Sequence, residues 1–360
     1  MSSFSTRIIN WQRQHGRHDL PWQGADAYRV WVSEIMLQQT QVATVIPYYL
    51  RLISRFPDVS ILAAASEDKV LAYWSGLGYY SRGRNLFRAA QIIVQQHDGK
   101  FPHHFDDICA LPGIGRSTAA AISALAFHER RAILDGNVKR VLARHSAIKG
   151  YTAEKKIEDQ LWLLAEALLP QRNVAVYTQG LMDLGAQLCT RSKPGCDACP
   201  LKTDCAALKL GLVSQLPTPR PRKALPEKHA YFLLLINGPD IYLERRPGQG
   251  IWGGLLCPPQ LDEQKDIASY CLQHLGMHQA KIKRLPVFSH TFTHFKLHIS
   301  PMVVKVADKQ KQLLKSDGVW LNFDAALQAA IPTPVRKLLE KLPHENLNAL
   351  PDLRLHYERI

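Results

Sequence analysis

Four cysteines set the tightest limit on how this chain can fold. They stand at Cys189, Cys196, Cys199 and Cys205, in the pattern Cys-x6-Cys-x2-Cys-x5-Cys. Thiols this close in one loop are either cross-linked or ligated. The opening residues, Met-Ser-Ser-Phe-Ser-Thr-Arg-Ile-Ile-Asn, carry no apolar signal-peptide core, so an intracellular protein is expected and disulfides are not. A zinc knot or an iron–sulfur cluster remains. Structural zinc usually takes two close cysteine pairs, and only Cys196 and Cys199 make one, so spacing by itself leaves both open. The loop would need its metal to hold a shape. Arg191, Lys193 and Lys202 make it basic, as a surface facing nucleic acid would be. Cys109, Cys257 and Cys271 are scattered and read as ordinary buried thiols.

The whole chain shares that basic character. Its 360 residues carry a formal charge of +14, which points to a polyanionic partner, nucleic acid by default. The length suits two or three domains, and 46% hydrophobic residues suffice for ordinary cores. No apolar run approaches the ~20 residues of a membrane span, so no membrane partner is expected.

Residues 4–16 read as an amphipathic helix, followed by a break at Leu20-Pro21-Trp22-Gln23. Residues 28–45 then read as one helix whose first half is apolar nearly all round, which implies burial. Glu34 lies inside that stretch. Burial would raise its pKa, the condition for a general acid near neutral pH; a Glu in a salt bridge is the plainer alternative. Gln38, Gln39, Thr40 and Gln41 place four uncharged hydrogen-bonding side chains in one turn, either a solvated face or contacts to base edges. Helical patterns recur near 62–65, 70–74 and 85–96. Between them, Gly76-Leu77-Gly78-Tyr79-Tyr80 with Arg82 and Arg84 suits stacking and phosphate contact, or else a helix start with its tyrosines in the core.

Leu111-Pro112-Gly113-Ile114-Gly115-Arg116-Ser117-Thr118 precedes an Ala-rich helix from Ala119 to about His128. A Gly-x-Gly turn opening a helix offers backbone N–H groups to an anion, and its flanking helices give it the look of a helix-hairpin-helix DNA-binding motif. In Leu134-Asp135-Gly136-Asn137-Val138-Lys139-Arg140, Asp135 falls at a helix start. There it serves as an N-cap worth ~1 kcal/mol and is expected to stay ionised, with Lys139 and Arg140 adding positive charge. Residues 155–188 read as two further helices ending at the cysteine loop. The proline-rich basic stretch 216–226 reads as a solvated linker. Beyond it, strands near 231–236, 241–244, 287–292, 297–305 and 319–321, with helices near 262–275 and 334–342, make an α+β domain of roughly 120 residues. The tail after Leu342 reads as loosely held.

Taken together and in this order, these motifs resemble the MutY family of adenine DNA glycosylases, over about residues 6–345. The resemblance implies an all-α helix-hairpin-helix glycosylase domain (residues 1–210), a linker (211–227), a smaller Nudix-like α+β domain (228–345) and a tail (346–360). It implies a [4Fe–4S] cluster on Cys189, Cys196, Cys199 and Cys205, and duplex DNA with adenine opposite 8-oxoguanine or guanine as the partner of a monomeric, nucleoid-associated enzyme. Glu34 matches the acid that protonates the adenine ring, and Asp135 the carboxylate that stabilises the oxocarbenium-like sugar. Asn137 matches a residue that positions that carboxylate, and Lys139 one near the abasic product. Gln38, Gln39, Thr40, Leu77 and Tyr79 match contacts around the mispair, and Gly113 and Gly115 the phosphate clamp. Phe288-Ser289-His290 matches a loop that contacts 8-oxoguanine. No Arg-Glu-x-x-Glu-Glu run follows Gly248, so pyrophosphate hydrolysis by the second domain is not expected. Ser117 and Gln23 depart from the family pattern. An endonuclease III-like lyase would need a lysine where Ser117 stands, since serine cannot form a Schiff base. A non-catalytic iron–sulfur DNA sensor would leave Glu34 and Asp135 without a purpose.

Overall fold

The computed structural model describes residues 3–220, 224–263, 266–277, 279–307, 318–342 and 352–356. The chain divides into two compact units, one of residues 1–65 with 85–222, the other of residues 66–84 with 223–360. Segment 66–84, which the sequence reading left in the helical domain, therefore groups with the sheet unit.

Helices build the first unit: α1 (Phe4–His15), α2 (Ala27–Leu37), α3 (Val42–Arg55) and α4 (Val59–Ala63). After α5 (Glu67–Trp74), which belongs to the second unit, come α6 (Tyr80–Gln96), α7 (Phe105–Ala110), α8 (Arg116–Phe127), α9 (Gly136–His145), α10 (Lys155–Ala167), α11 (Val174–Asp183) and α12 (Ala206–Lys209). Short polar side chains start several of them. Ser3, Asp26, Asp58 and Asp135 each accept the N–H three residues on, from Thr6, Arg29, Ile61 and Val138. One core joins α1, α8, α9, α10 and α11 through Ile8, Ala124, Leu142, Leu161 and Leu181, all buried. Each such Ile or Leu side chain stabilises the fold by about 1.5–3 kcal/mol.

Residues 28–45 are not one helix. The chain leaves α2 at Leu37, passes through Gln39 at φ 58° and enters α3 at Val42. The four polar residues have no apolar partners to continue a buried face, and Gln38 instead reaches Gly113 O and Thr118 Oγ1, both at 3.3 Å. The linker is also shorter than expected. Leu216 is buried, its carbonyl accepts Arg144 Nε–H at 2.7 Å, and Thr218 Oγ1 accepts Gly150 N–H at 3.0 Å.

In the second unit, β1 (Glu227–Asn237) and β2 (Asp240–Arg245) form a hairpin, with short β3 (Leu256–Cys257) and β4 (Gln260–Leu261) beside them. Then follow α13 (Asp266–Leu275), β5 (Gln279–Arg284), β6 (Phe288–Thr291), β7 (Lys296–Lys305), β8 (Gly318–Asn322) and β9 (Asp352–His356). The sheet runs β3-β2-β1-β7-β5-β9, with β1 parallel to β7 from Glu227↔Lys296 to Ile236↔Lys305. Strands β3, β4, β5 and β9 were not legible as strands. β9 corrects the expectation of a loose tail, since it pairs antiparallel with β5. α13 packs Ile267, Cys271 and Leu275 against Leu233, Leu235 and Val304. Cys257 and Cys271 are buried as expected, whereas Cys109 is partly exposed. No helix among the described residues is long and apolar enough to cross a membrane.

Candidate active site

Helix α2 buries Val30, Trp31, Val32, Ser33, Ile35 and Met36, which leaves Glu34 facing a cavity of about 850 Å³. Asp135 lines the same cavity. Protein encloses Glu34 on every other side, so its tip is partly exposed but poorly solvated. Burial pushes this carboxyl up to about 8, and the nearby charge of Asp135 adds to the rise.

Asp135 is held differently. As the N-cap of α9, it accepts Val138 N–H at 2.8 Å through Oδ1 and Asn137 Nδ2–H at 3.4 Å through Oδ2. Its carboxyl still lies above the ordinary carboxylate value, because burial outweighs those donors and the pull of Arg140. The pair stays asymmetric, since donors and a cation favour charge on Asp135 while Glu34 meets only desolvation and repulsion.

A row of hydrogen bonds leads away from Asp135. Arg140 Nη2–H donates to Asn137 Oδ1 at 2.8 Å and to Gly185 O at 2.6 Å, and Arg140 Nε–H donates to Cys189 O at 2.7 Å. Gly185 sits in a π-turn, Leu184–Leu188, that carries α11 into the cysteine loop. A Cβ at Gly185 would lie 2.6 Å from Asn137 Cβ, so only glycine allows this approach. Just before the turn, fully buried Asp183 accepts Arg17 N–H at 2.9 Å, Arg17 Nε–H at 2.7 Å and Gln179 Nε2–H at 2.8 Å. Arg17 also lines the cavity.

The other candidates fall into three groups. Gln38, Gln39, Thr40, Gln41, Ser117 and Asn137 line the cavity, as do Thr190 and Arg191 from the cysteine loop. Ser117 Oγ accepts Leu134 N–H at 2.9 Å and so pins the strand leading to Asp135. Gly113 and Gly115 form the exposed hairpin beside them. Gly113 has φ 82° and a Cβ there would lie 2.9 Å from Asn85 Cβ, whereas a Cβ at Gly115 would meet nothing within 4 Å. Lys139 is not among the residues lining the cavity; its ammonium pairs with Glu158 at 2.6 Å. Gln23 fixes its own turn, with Nε2–H donating to Arg17 O at 2.6 Å.

Leu77, Tyr79 and the Phe288-Ser289-His290 stretch belong to the second unit. Leu77 is buried, while Tyr79 is 47% exposed at φ 48°. Arg82 and Arg84 are not free for phosphates. Arg82 is buried, with its pKa lowered by burial to about 10, and Arg84 Nη1–H donates to Gly253 O. Phe288-Ser289-His290 lies on β6, paired with β7 rather than in a turn. Tyr79, His290 and Trp252 line a second cavity, of about 590 Å³, within this unit.

All four loop cysteines, none of them in a disulfide, border one apolar hollow with Val141, Leu184, Leu188 and Leu201. Among the described residues no group of three or more His, Cys, Asp or Glu side chains is arranged to hold a metal ion. The four thiols share the lining of that one hollow. Arg144 braces the loop through Cys189 Sγ at 3.4 Å and Thr190 O at 2.7 Å. Arg17, Asp183, Gly185 and Thr190 escaped the sequence reading. An aspartate between apolar residues in Leu181-Met182-Asp183-Leu184 was the available signal.

Known proteins share this arrangement. Residues 32–167 match the HhH-GPD superfamily base excision DNA repair protein model, and residues 230–341 match the NUDIX domain model. A solved thermostable thymine-DNA glycosylase is similar at TM-score 0.51 and 26% identity, over 57% of this chain and 95% of that one. The adenine DNA glycosylase of Mus musculus is 31% identical over 399 residues, 94% of this chain and 77% of that protein. That of Buchnera aphidicola subsp. Schizaphis graminum is 40% identical over 339 residues, 94% of this chain and 98% of that protein. With both domain models matched in chain order and a relative aligned over nearly its whole length, the chain belongs to the adenine DNA glycosylase family, hydrolases of the N-glycosyl bond that act in base excision repair.

Proposed function

We propose that this glycosylase removes adenine mispaired with 8-oxoguanine or guanine in duplex DNA, with Glu34 as general acid and Asp135 as the charged stabiliser of the sugar. The observation that carries the reading is the unequal pair in one cavity: an acid raised to about 8 beside a carboxylate with donors on both oxygens. The cavity lies in the size range of small-molecule sites, roomy enough for a nucleotide turned out of the stack. At neutral pH Glu34 holds a proton and donates it to the adenine ring, which turns the base into a neutral leaving group. Positive charge then develops on the sugar, and Asp135, fixed by Val138 and Asn137, stabilises it or attacks it transiently. The Glu34 carboxylate left behind takes a proton from the incoming water. This is the two-carboxylate logic of glycoside hydrolysis applied to an N-glycosyl bond.

The enzyme is monofunctional in this reading. Ser117 offers no amine, and Lys139 is engaged by Glu158 rather than exposed to the cavity. Cys189, Cys196, Cys199 and Cys205 would hold a [4Fe–4S] cluster, which supplies a cross-link that shapes the loop bearing Thr190 and Arg191. Gln39, Thr40, Leu77 and Tyr79 contact the mispair, the Gly113–Gly115 turn grips phosphate, and the Phe288-Ser289-His290 strand reads 8-oxoguanine. The protein acts inside the cell as a monomer on genomic DNA. Base release from duplexes with adenine opposite guanine, 8-oxoguanine or thymine tests the reading. Release opposite the first two, little opposite thymine, and an intact strand until heat or base is applied are expected. Equal release from all three, or rapid spontaneous cleavage, would overturn it.

A further inference from the structure

The turn that carries Leu77 and Tyr79 is poorly suited to hold itself. Gly76 and Gly78 have φ of 103° and 76°, and Tyr79 takes the left-handed region at 48°, which a side chain other than glycine rarely adopts. Inside the turn, Gly78 O accepts Trp74 Nε1–H at 3.0 Å and Arg82 Nη2–H at 3.3 Å. Its two ends are fastened elsewhere, and to a single atom. Ser75 Oγ–H donates to Ile331 O at 2.9 Å, and Tyr80 O–H donates to the same carbonyl at 3.2 Å. Gly76 N–H in turn donates to the Tyr80 hydroxyl at 3.4 Å. Ser75 has a second partner, since Arg336 Nη2–H donates to its Oγ at 2.8 Å. That bond leaves the Ser75 hydroxyl proton to point at the Ile331 carbonyl or at the Tyr80 hydroxyl, which is hydrogen-bonded to Ser75 and Thr333 as well. Arg336 is aimed by its own Nη1–H on Leu327 O, at the end of the helix Phe323–Gln328. Ser75 and Ile331 are buried, so water is a poor substitute for any of these partners.

We propose that Arg336, acting through Ser75 and the Ile331 carbonyl, is a positioning residue for mispair recognition that sets the pose of Leu77 and Tyr79. The proposal rests on the reading that this turn contacts DNA. The sheet unit is then more than a reader of the damaged base through β6. It also supplies the clamp that fixes a recognition turn belonging, by chain order, to the helical part of the protein. The effect is on recognition of the mispair, because Glu34 and Asp135 take no part in this network.

The test uses the full-length, cluster-loaded protein and a duplex with a tetrahydrofuran abasic analogue opposite 8-oxoguanine. Ser75→Ala and Arg336→Leu should each weaken binding by about tenfold, while the single-turnover rate at saturating enzyme stays within about twofold. Arg336→Lys, which keeps the cation and a donor, should recover most of the affinity. Hydrogen exchange at the Gly76 and Leu77 amides should quicken in Arg336→Leu. On a Tyr79→Ala background, Arg336→Leu should add much less than its tenfold loss on the parent, because one of the two side chains it positions is gone. Unchanged exchange in Arg336→Leu, or losses that multiply in the double variant, would overturn the proposal. Faster exchange in Arg336→Leu with no affinity loss in Tyr79→Ala would show a held turn that does not touch DNA. That outcome would sink the underlying DNA-contact reading, and this proposal with it.

Discussion

Glu34 has a stability consequence opposite to its catalytic one. Its carboxyl is raised from an ordinary 4.5 to about 8. Below the lower value the folded and unfolded chains both carry the proton. Between the two values the unfolded chain ionises while the folded one does not, so the contribution of this one carboxyl to stability falls as pH rises through that window and levels off above it. Glu34→Gln should therefore match the parent near pH 4 and exceed it by on the order of 2 kcal/mol at pH 8, a figure discounted because the carboxyl reaches cavity water. Denaturant titration at both pH values checks this, and a gap independent of pH would contradict it. Asp135 owes its charge to neighbours, which makes them sensitive positions as well. Arg140→Gln breaks the bonds to Asn137, Gly185 and Cys189 together. It should slow single-turnover adenine release by roughly 10- to 100-fold, the range expected for a small misplacement of a reacting group. An unchanged rate would show that Asp135 needs no such support.

The hairpin between α7 and α8 carries one crowded glycine, Gly113, and one open to solvent, Gly115. Gly113→Ala meets both a positive φ and the Asn85 side chain, so it should cost about 1–3 kcal/mol of stability. Gly115→Ala meets open space and should leave stability within about 0.5 kcal/mol; if this turn grips phosphate as proposed, the added methyl should weaken DNA binding. Thermal melts and duplex titrations of the two variants check the contrast; equal behaviour would remove it. The same elements show what a chain reveals before it folds. The α9 cap was legible because Asp135 and its Val138 partner are local, and the Glu34 environment was legible because α2 is apolar on all sides. The turn at 38–41 was not, since the backbone break rests on bonds from Gln38 to a hairpin 75 positions away. Nor was the Arg140 link to Cys189, a contact across 49 positions that depends on the π-turn after Asp183. Strand β9 escaped because its partner, β5, is itself short and charged.

At the scale of the whole molecule, the formal charge of +14 sets how the enzyme meets DNA. Affinity for any duplex should fall by about a hundredfold or more between about 50 and 200 mM salt, whereas the preference for a mispair should change far less. A flat salt response would contradict a phosphate-dominated encounter. Loss of loop shape should act in the same direction: if the four cysteines hold the proposed cluster, Cys199→Ser should bleach its visible absorbance and weaken duplex binding, since Thr190 and Arg191 border the cavity. Persistent affinity in a bleached protein would separate loop and binding. The proposed chemistry turns on two acids that face one cavity, Glu34 protonated and Asp135 charged, and the pH dependence of single-turnover adenine release tests that assignment directly. The account predicts a parent rate that falls as pH rises through about 8, where Glu34 gives up its proton, and a Glu34→Gln residual rate without that fall. The same descending limb in Glu34→Gln would mean that another group carries the proton.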